Sequence, residues 1–536
     1  MFSSLLWPLW GMAALMFAYI INKIFLRRDD CYRLPPGPPG LPIVGNIRDL
    51  PPADVPEFQH WIKHKDRYGP ISSVTIMGMT LIIVNDKDMA HEMLDKIASK
   101  TSGRPDSIFA NKLCGYESII LCKGYNKTFR FYRKLLHQEL GTMASAAQFR
   151  GIQELEMKRQ LIRTLRAPEK LLDHYRTSAA ATILKMAYGY TLEPHKPDYL
   201  VELADRVLSE FSQAAVPMSW LVDILPFLRY LPAGTPGANF IAKARIMRKR
   251  LESAAELPFR FVQKQMAARS HQPSYASKLI DYFAQSDGDP RSLGSADEDA
   301  IMWTAMSLYG AASDTTVITL TAFTAAMILY PDVQQKAQDE IDRVVGLGKL
   351  PTFEDRDKLP YVNALIKEAA RWWPITPLGF PHVVDYDFNY NGFRIPEGAT
   401  ILPSVYWFMH DPEVYHEPET FEPERFLAPR NEPDPVSDVF GYGRRICPGR
   451  FFADSSLYIN IVQSLSMFDF RHAVGNDGQE ISISLKPQPG ILTHPNKFQY
   501  LITPRSQQHV GLINQLEVNT PWESGDANHL QNAVTQ

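Results

Sequence analysis

The residue whose setting points most directly to chemistry is Cys447, in the run Phe440-Gly441-Tyr442-Gly443-Arg444-Arg445-Ile446-Cys447-Pro448-Gly449. The two glycines let backbone approach a ligand closely, and the cysteine stands just ahead of an apolar-periodic segment, Phe451 to Phe468, that reads as a helix. A thiolate there gains from the positive helix end and from Arg444, Arg445 and Arg450, which makes the cysteine a ligand or a nucleophile. The other three cysteines, Cys31, Cys114 and Cys122, are too widely spaced for a disulfide scaffold and fit a reducing compartment. Competing motifs fail on inspection. Gly441-x-Gly443 runs on to Ile446 where a dinucleotide fingerprint needs a third glycine, and His91-Glu92 is followed by Asp95 where a zinc protease has its second histidine. No P-loop, G-x-S-x-G or C-x-x-C is present, so electrons for redox chemistry must come from another protein.

The cysteine segment matches F-x-x-G-x-R-x-C-x-G at every fixed position, and with it the sequence resembles the cytochrome P-450 family of haem-thiolate monooxygenases. Further elements similar to that family follow in its order over nearly the whole chain. Glu368-Ala369-Ala370-Arg371 looks like its E-x-x-R, and Pro423-Glu424-Arg425-Phe426 looks like its P-E-R-F. Glu368 and Arg371 share a helix face, so they can pair with each other and with Arg425. Ala311-Ala312-Ser313-Asp314-Thr315-Thr316 resembles the oxygen-activating segment, with Ala312 where the family usually has glycine.

The resemblance implies haem b, with Cys447 as the iron ligand, Thr315 as the hydroxyl and Asp314 as the relay carboxylate that deliver protons. It implies Arg104, Arg133, His382 and Arg445 as partners of the haem propionates, and Phe440 and Gly441 as part of the cofactor loop. The family's W-x-x-x-R appears as Phe129 with Arg133, so the indole donor is missing. The pocket is expected near residues 110–122, Trp303 to Ala312, Leu378 to Phe380 and Gly490 to His494. The implied partners are an NADPH–cytochrome P-450 reductase, with cytochrome b5 as an optional second one, and a small, largely apolar substrate such as a fungal secondary metabolite. Arg444 and Arg450 are candidates for docking an acidic redox partner. Two rival readings stay open: a haem-thiolate isomerase or dehydratase that needs no external electrons, and a membrane-tethered haem carrier or sensor.

The elements that must position these residues are mostly helical with a minor β part. From Asp297 to Leu329 no proline intervenes, so one helix of roughly 50 Å is expected, followed by a helix from Pro331 to Gly346 and another from Pro360 to Trp372. Hairpins are expected at Met77-Gly78 and Asn391-Gly392. Residues 1–22 carry no charge and are long enough to span a ~30 Å hydrocarbon layer, and Lys23, Arg27, Arg28 and Arg33 follow, so an anchor in the endoplasmic reticulum membrane with a cytosolic body is expected. A basic, Pro/Gly-rich tether is expected over 23–40, the catalytic domain over 41–505, and a disordered polar tail over 506–536. The 536-residue chain is 45% hydrophobic and has a net charge of −3, a globular balance without the basic excess of a nucleic-acid binder.

Overall fold

The computed structural model describes residues 33–534 apart from 53, 195, 233 and 287–293, so the anchor expected over 1–22 lies outside the described residues. Helices dominate, as the sequence predicts, and one small mixed sheet flanks them. Strands Ile71–Ile76 and Met79–Val84 pair antiparallel, Met79–Val84 runs parallel to Thr400–Pro403, and His382–Val383 closes the sheet antiparallel to Thr400–Pro403. Both expected hairpins form for the same reason. Met77 and Gly78 take φ of 49° and 88°, and Asn391 and Gly392 take 47° and 79°. Two successive positive φ values match the twist of the flanking strands.

The central helix spans Ser295–Leu329, 35 residues. It is buried on every side from Thr316 to Ile328, which is why its sequence is apolar without a helical stripe. Its buried hydroxyls are satisfied locally: Thr321 donates to the Val317 carbonyl at 2.8 Å and Thr324 to Leu320 at 2.9 Å. This is also, among the described residues, the helix long and apolar enough to cross a membrane, and its apolar stretch is mostly buried in the protein. Pro331 opens the next helix, Pro331–Val344, and Gly346 at φ 89° lies just past its end. Phe323, Met327, Leu365, Ile459, Ile461 and Val462 join the central helix to helices Pro360–Trp372 and Arg450–Met467 in one core. Each such buried side chain contributes about 1.5–3 kcal/mol, enough to fix the cysteine loop to the oxygen-activating segment.

Two expectations about the ends need correction. Residues 33–40 of the expected tether are docked on the sheet: Ser73 donates from its N–H to the Pro36 carbonyl at 2.8 Å and from its hydroxyl to Pro35 at 2.6 Å. A Cβ on Gly37 would lie 1.9 Å from the Ser73 carbonyl oxygen, so glycine is required for this approach. The tail expected to be disordered over 506–536 contains helices Gln507–Asn519 and Ala527–Val534. Its sparse apolar residues find specific seats, with Ile513 fully buried, and Glu523 bridges Arg159 at 3.1 Å and Lys185 at 2.9 Å. These partners lie more than 300 residues away in sequence, so no local periodicity reports them.

Candidate functional site

The cysteine loop is shaped by its glycines. Gly441 and Gly443 take φ of 76° and 50°, and a Cβ on Gly443 would meet the Leu94 carbonyl oxygen at 2.3 Å. The turn closes with the Cys447 N–H donating to the Phe440 carbonyl at 2.8 Å, and helix Arg450–Met467 starts three residues beyond the sulfur. The side wall of the loop is pinned by Asp438, which accepts from the Tyr442 hydroxyl at 3.0 Å and pairs with His91 at 3.1 Å and Lys87 at 2.9 Å. Burial raises the pKa of the Cys447 thiol, while the Gly449 N–H, Arg133 and Arg450 oppose that rise. Cys122 lacks such a backbone donor and is pushed up to about 12 by burial. Cys447 is therefore the thiol that a bound cation would most readily hold as thiolate.

Above the loop, four cationic or basic groups expected from the sequence converge. Arg104 donates from Nε to the Leu121 carbonyl at 3.1 Å and from Nη1 to Phe380 and Pro381 at 3.2 and 2.6 Å. Arg445 donates to the Ser102 and Lys123 carbonyls, each at 2.7 Å, and its guanidinium lies 3.7 Å from the centre of the Phe129 ring. Phe129 thus offers the face of a ring where an indole would offer an N–H. Arg133 donates to the Ile446 carbonyl, tying it to the residue before the cysteine. His382 Nδ1 donates to the Thr101 carbonyl at 2.8 Å. Burial, and for Arg445 the nearby Arg104 as well, pulls the pKa of Arg104, Arg133 and Arg445 below the usual guanidinium value. Burial and Arg104 lower that of His382 too. None of these arginines forms an ion pair among the described residues, and Arg445 Nη1 is buried without a hydrogen-bond partner. A buried cationic cluster with an orphaned donor is a site for an anion.

The central helix supplies the opposite wall. Ala311 is exposed and Ala312, Asp314 and Thr315 are half-buried, although the helix is otherwise almost wholly buried from Thr304 to Ile328. Thr315 donates its hydroxyl to the Ala311 carbonyl at 2.8 Å, so both lone pairs of that oxygen stay open to a donor. Asp314 is not alone: both its carboxylate oxygens lie against His494 Nε2, at 3.0 and 2.9 Å. Sequence reasoning placed His494 in a pocket wall and missed this pairing, because 180 residues separate the two. Parts of the four stretches expected to line the pocket come together: the Ile120 N–H donates to the Ser307 hydroxyl at 3.2 Å, and His494 reaches Asp314 just past the central-helix stretch.

The match to known proteins agrees with this geometry. The cytochrome P450 family profile covers residues 35–502. The chain belongs to the cytochrome P450 family. It is 47% identical over 485 residues to the "multifunctional cytochrome P450 monooxygenase af510" of Aspergillus fumigatus, covering 90% of each chain. It is 46% identical to "cytochrome P450 monooxygenase CLM2" of Gibberella zeae, covering 96% of this chain and 97% of the relative. It is 38% identical to the "O-methylsterigmatocystin oxidoreductase" of Aspergillus flavus, covering 96% of both. As a P450 it is an oxidoreductase that incorporates molecular oxygen and binds haem b. The residues fit that group: Cys447 sits in a turn closed onto the Phe440 carbonyl, and Arg104, Arg133 and Arg445, without ion-pair partners among the described residues and with Arg445 Nη1 orphaned, could take up two carboxylates.

Outside the site, the E-x-x-R reading holds. Glu368 accepts from Arg371 Nε and Nη2 at 2.7 and 2.8 Å and from Arg425 Nε at 3.0 Å, all fully buried.

Proposed function

We propose that this P450 hydroxylates a small, largely apolar secondary metabolite, RH + O2 + NADPH + H+ giving ROH + H2O + NADP+, with electrons relayed by a separate NADPH–cytochrome P-450 reductase. Bound through Cys447, haem supplies the reductive splitting of dioxygen and the transfer of one oxygen atom to carbon. Arg104, Arg133, Arg445 and His382 hold its propionates. For His382 to donate from Nε2 while Nδ1 donates to Thr101, the ring must be imidazolium, a state that an adjacent carboxylate favours. The loop from Phe440 to Gly441 brings backbone close to the ring. Thr315, whose hydroxyl hydrogen is held by the Ala311 carbonyl, would accept a hydrogen bond at its oxygen, and Asp314 would resupply the proton.

The observation that carries this reading is the gathering of Arg104, Arg445 and His382, with no ion pair among the described residues and Arg445 Nη1 left without a partner, in a chain that also holds Cys447 in a glycine-shaped turn and opens its central helix from Ala311 to Thr315. The substrate class is supported by a fungal relative named as an O-methylsterigmatocystin oxidoreductase. The uncharged residues 1–22 followed by Lys23, Arg27 and Arg28 support a membrane anchor with the catalytic body on the cytosolic, reductase-bearing side. Arg444 is exposed over the Tyr125 ring and suits an acidic redox partner. Arg450 is less suited, since it reaches back to the Cys447 carbonyl at 3.3 Å. Co-expression with a reductase and candidate metabolites under oxygen-18 gas tests the proposal: label must enter a product with NADPH consumed in proportion. Conversion of a substrate without NADPH or label would establish the isomerase reading instead.

A further inference from the structure

The His494–Asp314 pair has an unusual property. Nε2 of His494 faces two acceptor oxygens, and the Leu492 backbone also favours the charged ring. A neutral ring in its Nε2–H tautomer donates to ionised Asp314 and leaves Nδ1 open to a further proton. With that proton added, the pair is either imidazolium and carboxylate or, after transfer from Nε2, an Nδ1–H imidazole and a carboxylic acid.

The two partners also differ in access. The His494 side chain is 31% exposed and Asp314 is 14% exposed, so the ring is the more accessible partner. Its position is fixed from several sides. The Thr493 N–H donates to the Ile375 carbonyl, and the Trp373 indole donates to the Thr493 carbonyl, each at 2.8 Å. The Leu492 N–H donates to the Ser212 hydroxyl at 3.2 Å.

We propose that His494 is the group through which protons pass from solvent to the oxygen-activating segment: a hydronium ion gives a proton to Nδ1 and leaves as water, the Nε2–H bond breaks as an O–H bond forms on Asp314, and exchange with solvent water restores the Nε2–H tautomer. No electrons are exchanged, and one proton enters for each one passed on. The proposal rests on the reading of Asp314 and Thr315 as the proton path. His494 touches no reacting atom and acts only through Asp314, so it is a positioning residue.

The electrostatics favour the charged ring beside Asp314. Burial lowers the pKa of His494, but the hydrogen bond and charge of Asp314 raise it further, and the net shift is upward. Asp205, on helix Tyr199–Ala214, is pushed up to about 6, chiefly by burial, and sits in the field of both partners. Arg176 and Asp173, on helix Leu171–Tyr188, complete the charges around them.

Two measurements on the full-length, haem-loaded protein test this. Exchange of the His494 ring C2 hydrogen for deuterium, followed by mass spectrometry across pH, should give a titration above the ordinary histidine value, and Asp314→Asn should lower it. With reductase, NADPH and oxygen, the hydrogen peroxide released per NADPH should rise in the wild type as pH passes that same midpoint. His494→Gln keeps a donor to Asp314 but cannot titrate, so its peroxide yield should be high at every pH, with flux to water down roughly 10-fold or more. An unchanged His494→Gln profile beside an uncoupled Asp314→Asn overturns the role of His494 alone. A coupled Asp314→Asn overturns the proton path beneath it. Should His494→Gln not fold, the wild-type curves decide: ring titration and peroxide midpoints that differ overturn the proposal.

Discussion

Two clusters of buried arginine in this protein are built on opposite principles. Around Glu368, a carboxylate sits between Arg371 and Arg425, and the remaining guanidinium hydrogens reach Glu432 and the carbonyls of Met409 and Thr420. Its charge is balanced from within and nothing further is needed to complete it. Around Arg445, the partners are carbonyls and an aromatic face, the charged neighbours are Arg104, Arg133 and, beyond ion-pair distance, Asp385, and one nitrogen is orphaned. Its charge is left for a ligand to balance. The sequence marks both with arginines of the same chemistry, and the position of a carboxylate separates a brace from a binding site.

The comparison is most sharply tested at the sulfur. Cys447→Ser should abolish turnover and the absorption band of sulfur-ligated haem after reduction with carbon monoxide, while porphyrin remains bound through the arginines. Survival of that band would remove the basis for the site. Next in size, Glu368→Gln should destabilise the fold by about 3–5 kcal/mol, because two buried guanidiniums lose their counter-charge. Denaturant midpoints should fall equally with and without haem. Arg445→Gln should do the reverse: the haem-free protein keeps or gains stability as repulsion with Arg104 is relieved, and haem binds roughly 10- to 100-fold more weakly for loss of charged hydrogen bonds worth about 1.5–3 kcal/mol. A parallel loss of apoprotein stability would make the two clusters alike.

The smallest effect concerns a mixed cluster beside the cysteine loop. Hydrogen bonding to Asp438 raises His91 from 6.5 to about 9, and although burial raises Asp438, its bonds to His91, Ser437 and Lys87 leave it below the usual carboxylate value. With the folded pKa of His91 above the unfolded one, its contribution is complete below pH 6.5 and is lost as pH rises through about 9. Wild type should therefore lose stability between those limits, and His91→Asn should flatten the slope. Denaturant midpoints at several pH values check this, and parallel slopes would dismiss the His91 contribution.

Much of this was legible in residue order. Met77-Gly78 and Asn391-Gly392 set their hairpins because the dihedrals they permit are the ones the turns use. Gly443 had to be glycine because Leu94 backbone crosses where a Cβ would be. The helix at 295–329 followed from an unbroken apolar run without proline. The tail from 506 onward was misread because its anchors, Ile513 and Glu523, are isolated in sequence and acquire meaning only against Arg159 and Lys185. Arg104, Arg133, His382 and Arg445 were each recognisable, but their lack of counter-ions was not.

Sequence alone determined the thiol, its loop, the helices and the turns, because backbone dihedrals, proline and glycine placement and apolar runs act over a few residues. The tertiary structure decided which charges are balanced, which stretch of the central helix opens and that His494 meets Asp314, because Coulomb interaction and desolvation depend on distance in space and not on position in the chain.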